Sequence, residues 1–326
     1  MTMPFTKVLL RMRDNTSGLL KSVFIALIVK VLGAGAAFAA TVFIARNLGV
    51  ADSGIYFLAF SIITFFSAFG RLGLDGTVLR FTSSGNYSSE DVFVKSTLLV
   101  LFVSSIVSAL IYMGAPAIAN VVFSKPELTE ALEIMAPSVI GLSLISLVAA
   151  SLQAMRKVTL SIFSLNIGVN VSVVVFVLLA IDLTVKQLAF GFTASVFLVL
   201  LAVMIIWYRL PNKSRGNKMS WAVLLGSCMP LCVVLVVNQI IQWSGQMVAG
   251  IYLQSEFVAL LAAAQRTAML TSFVLMAVNW VIAPRLSKLF NENKIDEISA
   301  LVRLSVRWMF LASTPVVSLM LIFPDS

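Results

Sequence analysis

The sequence predicts an all-α polytopic membrane protein of about nine transmembrane helices, a six-helix N-terminal lobe followed by an incomplete second lobe. Three observations carry that expectation. Hydrophobic residues make up 60% of the 326, charged residues only 11%, and mean hydropathy is +1.02. Soluble domains need about a quarter of their residues charged to cover a surface in water. Apolar stretches also recur along the whole chain, each about the 20 residues a helix needs to cross hydrocarbon. The in–out alternation of barrel strands is absent from the sequence.

Read in order, the spans are 22–45, 53–73, 94–115, 130–154, 158–180, 187–208, 220–243, 257–283 and 302–323. The first resembles a signal peptide, with Lys and Arg before it and a cleavage-like Ala37-Phe38-Ala39. Its apolar run is too long for that, and further spans follow. It is read as a retained helix behind a basic, amphipathic lead-in at 1–21 on the cytoplasmic surface. Within it, Gly33-Ala34-Gly35-Ala36-Ala37 marks close helix packing. Pro137, Pro230 and Pro315 fall inside later spans and predict kinks there. With the N-terminus inside, seventeen Lys and Arg lie on the cytoplasmic side against three outside (Arg46, Lys125 and Lys186). That asymmetry sets the orientation.

The basic loop at 211–219 divides six helices (22–210) from three (220–326). Six is even, so the seventh helix starts on the same side as the first, as a parallel repeat requires. At an offset of 204 Phe69 meets Phe273 and Asp75 meets Asn279, while Arg80 pairs with Arg285 after one residue of slip. The chain ends at Phe323-Pro324-Asp325-Ser326 as the ninth span reaches the outside, so the second lobe is expected to be truncated.

Composition excludes much chemistry. There is no His, which removes His-based triads, His general bases and most zinc sites. The net charge of +9 is scattered in short clusters, the pattern of topology signals and anionic headgroups rather than of nucleic-acid binding. Cys228 and Cys232 share an apolar helix face and read as packing residues. No phosphate-cradling glycine loop is present, so an ATP-driven pump is not expected. Asn86-Tyr87-Ser88 matches a glycosylation sequon but falls in an inside loop, where it is a chance match.

Charges within spans cost roughly 2.5–3.5 kcal/mol each and are functional candidates for that reason. Lys30 lies about eight residues into the first span, ~12 Å deep. It is either a cation facing an aqueous cavity or a snorkelling lysine. Arg266, beside Gln265 in the eighth span, offers a fork of donors suited to phosphate oxygens, or else bonds a neighbouring helix. Arg71 reads as nearer the inner end of the second span. Arg71 and Asp75, four apart, form an intrahelical ion pair or a gate at the cytoplasmic mouth. Asn238, Gln239, Gln242 and Gln246 cluster toward the outer end of the seventh helix. They offer hydrogen bonds to sugar hydroxyls or to other helices, and Gln265 and Asn279 join them as candidate sugar contacts.

Several stretches carry a family resemblance. They are Ala45-Arg46-Asn47-Leu48-Gly49 with Gly54-Ile55-Tyr56, Gly73-Leu74-Asp75-Gly76-Thr77-Val78-Leu79-Arg80-Phe81, Ala263-Ala264-Gln265-Arg266, and Ala277-Val278-Asn279-Trp280-Val281-Ile282-Ala283-Pro284. In order and spacing they resemble the polysaccharide transporters of the MATE-containing MOP flippase superfamily, over essentially the whole chain. The resemblance implies a MATE-like fold of two six-helix lobes around a cationic cavity that opens alternately to either side. It also implies a flippase for undecaprenyl-pyrophosphate-linked oligosaccharide (an O-antigen, capsule or exopolysaccharide unit) in a bacterial inner membrane. Lys30, Arg266 and Arg71 would be its cavity cations. The implied partners are the lipid-linked glycan, membrane lipids and polysaccharide polymerase machinery, with no nucleic acid. No cofactor is expected, and the coupling ion stays open. The alternatives are a MATE-type drug or cation exporter, a membrane-embedded glycan ligase, and an inactive truncated remnant.

Overall fold

The computed structural model describes residues 28–180, 183–210 and 216–268, with isolated positions at 302, 303, 306, 307, 310 and 314. The lead-in at 1–21, the loop at 211–215, Asn279, Pro315 and most of the eighth and ninth predicted spans lie outside the described residues. The chain divides into two compact units, Met1–Ala263 and Ala264–Ser326.

Eleven helices follow one another. They are α1 (Ile28–Leu48), α2 (Val50–Arg71), α3 (Leu74–Ser84), α4 (Ser89–Ala117), α5 (Leu128–Met135), α6 (Ser138–Ala154), α7 (Val158–Ile162), α8 (Val169–Leu179), α9 (Val185–Arg209), α10 (Trp221–Tyr252) and α11 (255–268). Six are long and apolar enough to span a membrane, or seven if α5 and α6 count as one span. This coarser count replaces the expected nine among the described residues. All seven spans predicted between 22 and 243 overlap helices, though the fourth and fifth are interrupted. Pro137 bends α5 against α6 by 45°, as its missing N–H predicts. A π-helical stretch, Phe163–Gly168, joins α7 to α8, and another, Ile118–Val122, extends α4 past Pro116. The second span, 53–73, matches α2 and ends at a break, after which α3 begins.

Helices in lipid gain little from burying Leu against Leu, so close approach and polar bonds must hold them together. The first unit shows both. Gly70 on α2 sits directly against Ser143 of α6 and Ser104 of α4, where a Cβ would lie 2.7 Å from Ser143 Oγ and 2.9 Å from Ser104 Cβ. Ser143 Oγ in turn donates to the carbonyls of Ser67 (2.9 Å) and Val139 (2.7 Å), so the hydroxyl is satisfied while joining two helices. α2 is the central helix, with 72% of its apolar window buried, whereas only 11% of the α10 window is buried. Side chains such as Phe102, Leu110, Met113, Leu198 and Ile241 face outward, where lipid is their solvent.

Toward the Arg209 end of α9, the buried Trp207 stacks on Phe93 with centroids 3.8 Å apart and donates its indole N–H to Ser151 Oγ at 2.8 Å. Ser151→Ala leaves that donor buried without its partner, a loss of about 1–3 kcal/mol. We expect a lower melting temperature in detergent for Ser151→Ala than for wild type. A melting curve unchanged by the substitution would show that the bond carries no stability.

Candidate functional site

The break between α2 and α3 is built by two residues in the left-handed region, Leu72 (φ 51) and Gly73 (φ 71). α2 closes with the Leu72 N–H donating to Phe69 O at 3.2 Å, and α3 restarts at Leu74. At Gly73 a side chain is excluded twice. The backbone conformation is strained for any residue with a Cβ, and that Cβ would lie 2.6 Å from Cys232 N and 2.7 Å from Leu231 C on α10. The break therefore presses on α10 immediately after Pro230, whose ring removes one helix bond there.

Each half-helix carries the charge its end calls for. Arg71 lies in the last turn of α2, where carbonyls are unmet, and Asp75 in the first turn of α3, where N–H groups are unmet. Arg71 Nη1 lies 3.4 Å from Asp75 Oδ2, and Asp75 Oδ1 accepts the Gly76 N–H at 3.0 Å. Their side chains are 15% and 26% exposed. The ion-pair reading of these two residues therefore holds, but across a helix break rather than along one helix. The pairing still leaves Arg71 Nε buried with no hydrogen-bond partner among the described residues.

Four residues surround the break: Gly70 meets Ser104 of α4 and Ser143 of α6, and Gly73 meets Leu231 and Cys232 of α10. Arg71 is the last residue of α2, and near the other end of that helix Gly54 packs on Ser255.

The other candidates are placed separately. Lys30 is half-buried on α1, one turn before Gly33, where α1 meets Asn166 of the π-helical stretch. Arg266 and Gln265 are half-buried on α11, in the second unit. On α10, Asn238 is exposed and bonds the Val234 carbonyl, Gln239 accepts the Trp243 indole N–H at 2.9 Å, and Gln242 is exposed. Gln246 is buried and donates to Val258 O at 3.2 Å, the interhelical alternative weighed for this group. An apolar cavity of about 220 Å³ between α6, α7, α8 and α9 is lined by side chains such as Leu152, Phe163, Val171, Leu198 and Val203. It shares no lining residue with the ion pair.

Three charged side chains not taken as site candidates from the sequence, Asp91, Lys95 and Lys125, make long-range polar contacts. Asp91 Oδ2 accepts the Met219 N–H (2.7 Å) and pairs with Lys95 Nζ (2.9 Å), which also donates to Met219 O (2.6 Å). Beside them Ser88 of the chance sequon caps α4, and Tyr87 pairs with Asn217. Lys125 Nζ donates to Gly250 O and Leu253 O at 2.7 and 2.8 Å. Burial holds the Lys125 amine below its ordinary pKa, with Glu127 opposing.

The polysaccharide biosynthesis protein family matches residues 19–290. The chain belongs to that family. Its six helices long and apolar enough to cross a membrane, or seven with the bent pair, among the described residues accord with the multi-pass membrane protein that the sequence predicts. Its fold is MATE-like. The solved structure of the MATE multidrug transporter DinF-BH aligns with TM-score 0.60 at 14% identity, covering 94% of this chain and 73% of that one. A second solved chain, protein A, aligns with TM-score 0.57 at 13% identity and the same coverages. No curated protein matches the sequence. The break between α2 and α3, with Arg71 and Asp75 on its two sides, is thus a feature of a polysaccharide-family protein's first unit.

Proposed function

We propose that this polysaccharide-family transporter flips an undecaprenyl-pyrophosphate-linked oligosaccharide across the bacterial inner membrane by alternating access. The observation that carries this reading is Arg71, set at a helix break with its Nε buried and without a hydrogen-bond partner among the described residues. Discontinuous helices at the midplane are where transporters of several folds bind charged substrates. A guanidinium is the group that meets phosphate oxygens bidentately in such a setting. The pyrophosphate crosses against Arg71, with Lys30 and Arg266 as further cations and Asn238, Gln239, Gln242, Gln265 and Asn279 as sugar contacts. The polyprenyl tail stays in lipid. In this proposal 22–210 forms the first lobe, 211–219 the cytoplasmic linker and 220–326 the first three helices of the second lobe. The N-terminus is cytoplasmic, and polymerase machinery receives the product.

A deletion strain tests this. We expect loss of surface glycan with lipid-linked glycan held at the inner leaflet, rescued by the wild-type chain. Rescue should fall at least tenfold for Arg71→Ala, about what losing one charge-assisted bond pair costs. Arg71→Lys, a point charge without the fork, should rescue partially. Normal glycan in the deletion strain would remove the function, and full rescue by Arg71→Ala would remove the site.

A further inference from the structure

We propose that α10 is held by two opposed latches, Lys125 at its Tyr252 end and Asp91 with Lys95 at its Trp221 end, which are released alternately as the transporter opens to one side or the other. The proposal rests on the alternating-access reading above.

α10 runs 32 residues, about 48 Å. Only 11% of its apolar window is buried, with packing on α2 and α3 at points such as Gly73–Leu231, Phe60–Trp243 and Leu58–Gly250. Polar grips are concentrated at its ends. At the Trp221 end, the approach to the helix is bonded on both sides. Asn217 N donates to Asn86 O, Ser88 N donates to Asn217 O, Asp91 accepts the Met219 N–H, and Lys95 donates to the Met219 carbonyl while lying 5.9 Å from the Trp221 ring. At the Tyr252 end, Lys125 reaches from the loop after α4 to the Gly250 and Leu253 carbonyls, and Gly250 lies against Leu58 and Phe123. Both grips come from α4 or the loop that follows it, one at each end.

Side chains of this kind suit release. Their partners are backbone groups that water satisfies equally well once exposed, so breaking either grip leaves no buried group unmet. Between the latches, α10 touches the left-handed turn at Gly73, just after Pro230. Proline removes a helix bond there, which makes this the softest point of the helix and the place where one end swings while the other stays fixed. The pivot thus lies one turn from the Arg71–Asp75 pair.

The native cysteines report the outcome without any glycan. Cys232 is half-buried and its backbone packs on Gly73, at the centre of the proposed motion. In a Cys228→Ser background, a membrane-impermeant charged thiol reagent is applied to right-side-out and to inverted vesicles. Lys125→Ala, or the longer Lys125→Met if alanine does not accumulate, should raise Cys232 labelling about tenfold or more from the Lys125 side only. Asp91→Asn should raise it from the opposite side only, and Lys125→Arg should label as wild type. Unchanged labelling in the Lys125 and Asp91 variants, a rise from the same side in both, or an equal rise from both sides would overturn the latches. Side-specific labelling in a strain with normal surface glycan would instead leave the latches standing and remove the flippase reading.

Discussion

Gly73→Ala should be strongly destabilising. The new Cβ meets two penalties: about 1–2 kcal/mol for a left-handed backbone, and about 1–3 kcal/mol for overpacking against the Leu231 and Cys232 backbone. Backbone atoms cannot rotate aside as a side-chain tip can, so either α10 moves or the break unwinds. Together the effects reach about 2–5 kcal/mol. Gly35→Ala is the matched control, because a Cβ there meets nothing within 4 Å and alanine favours helix. Melting in detergent should separate the two variants clearly. Equal stability would mean that the break does not depend on its contact with α10.

This contact also explains what the sequence does and does not disclose. Hydropathy alone locates seven spans, because a lipid-facing helix writes its length into its composition. Pro137 discloses its own bend, since the missing N–H is local chemistry. The break at Leu72-Gly73 is different. A glycine in an apolar run reads as a packing residue, and here its conformation is demanded by α10, more than 150 residues away in the chain. Asp91 and Lys95 show the four-residue spacing of an ion pair, but their distant partners are the N–H and carbonyl of Met219. Lys125 likewise grips only carbonyls. Backbone groups are the same at every position, so nothing in the sequence points to them.

Separating what Arg71 and Asp75 do for the fold from what they do for transport requires both single variants and the pair. Asp75→Ala leaves the half-buried guanidinium without its ion pair and removes the acceptor of the Gly76 N–H in the first turn of α3. Breaking one side of a fully buried pair costs about 3–5 kcal/mol; with these side chains 15% and 26% exposed, Asp75→Ala and Arg71→Ala should each cost less than that but remain destabilising. Replacing both by apolar groups of similar size removes the desolvation burden altogether. Arg71→Met with Asp75→Leu is therefore expected to melt within about 2 kcal/mol of wild type or above it. Transport should not return with it. A double variant that folds normally but leaves lipid-linked glycan at the inner leaflet would show that the charges are kept for the substrate and not for the helix break. A double variant as unstable as the singles would make the pair a structural brace, and one that restores surface glycan would exclude Arg71 from binding the pyrophosphate. The geometry favours the first outcome, because the pairing with Asp75 leaves Arg71 Nε buried without a partner among the described residues.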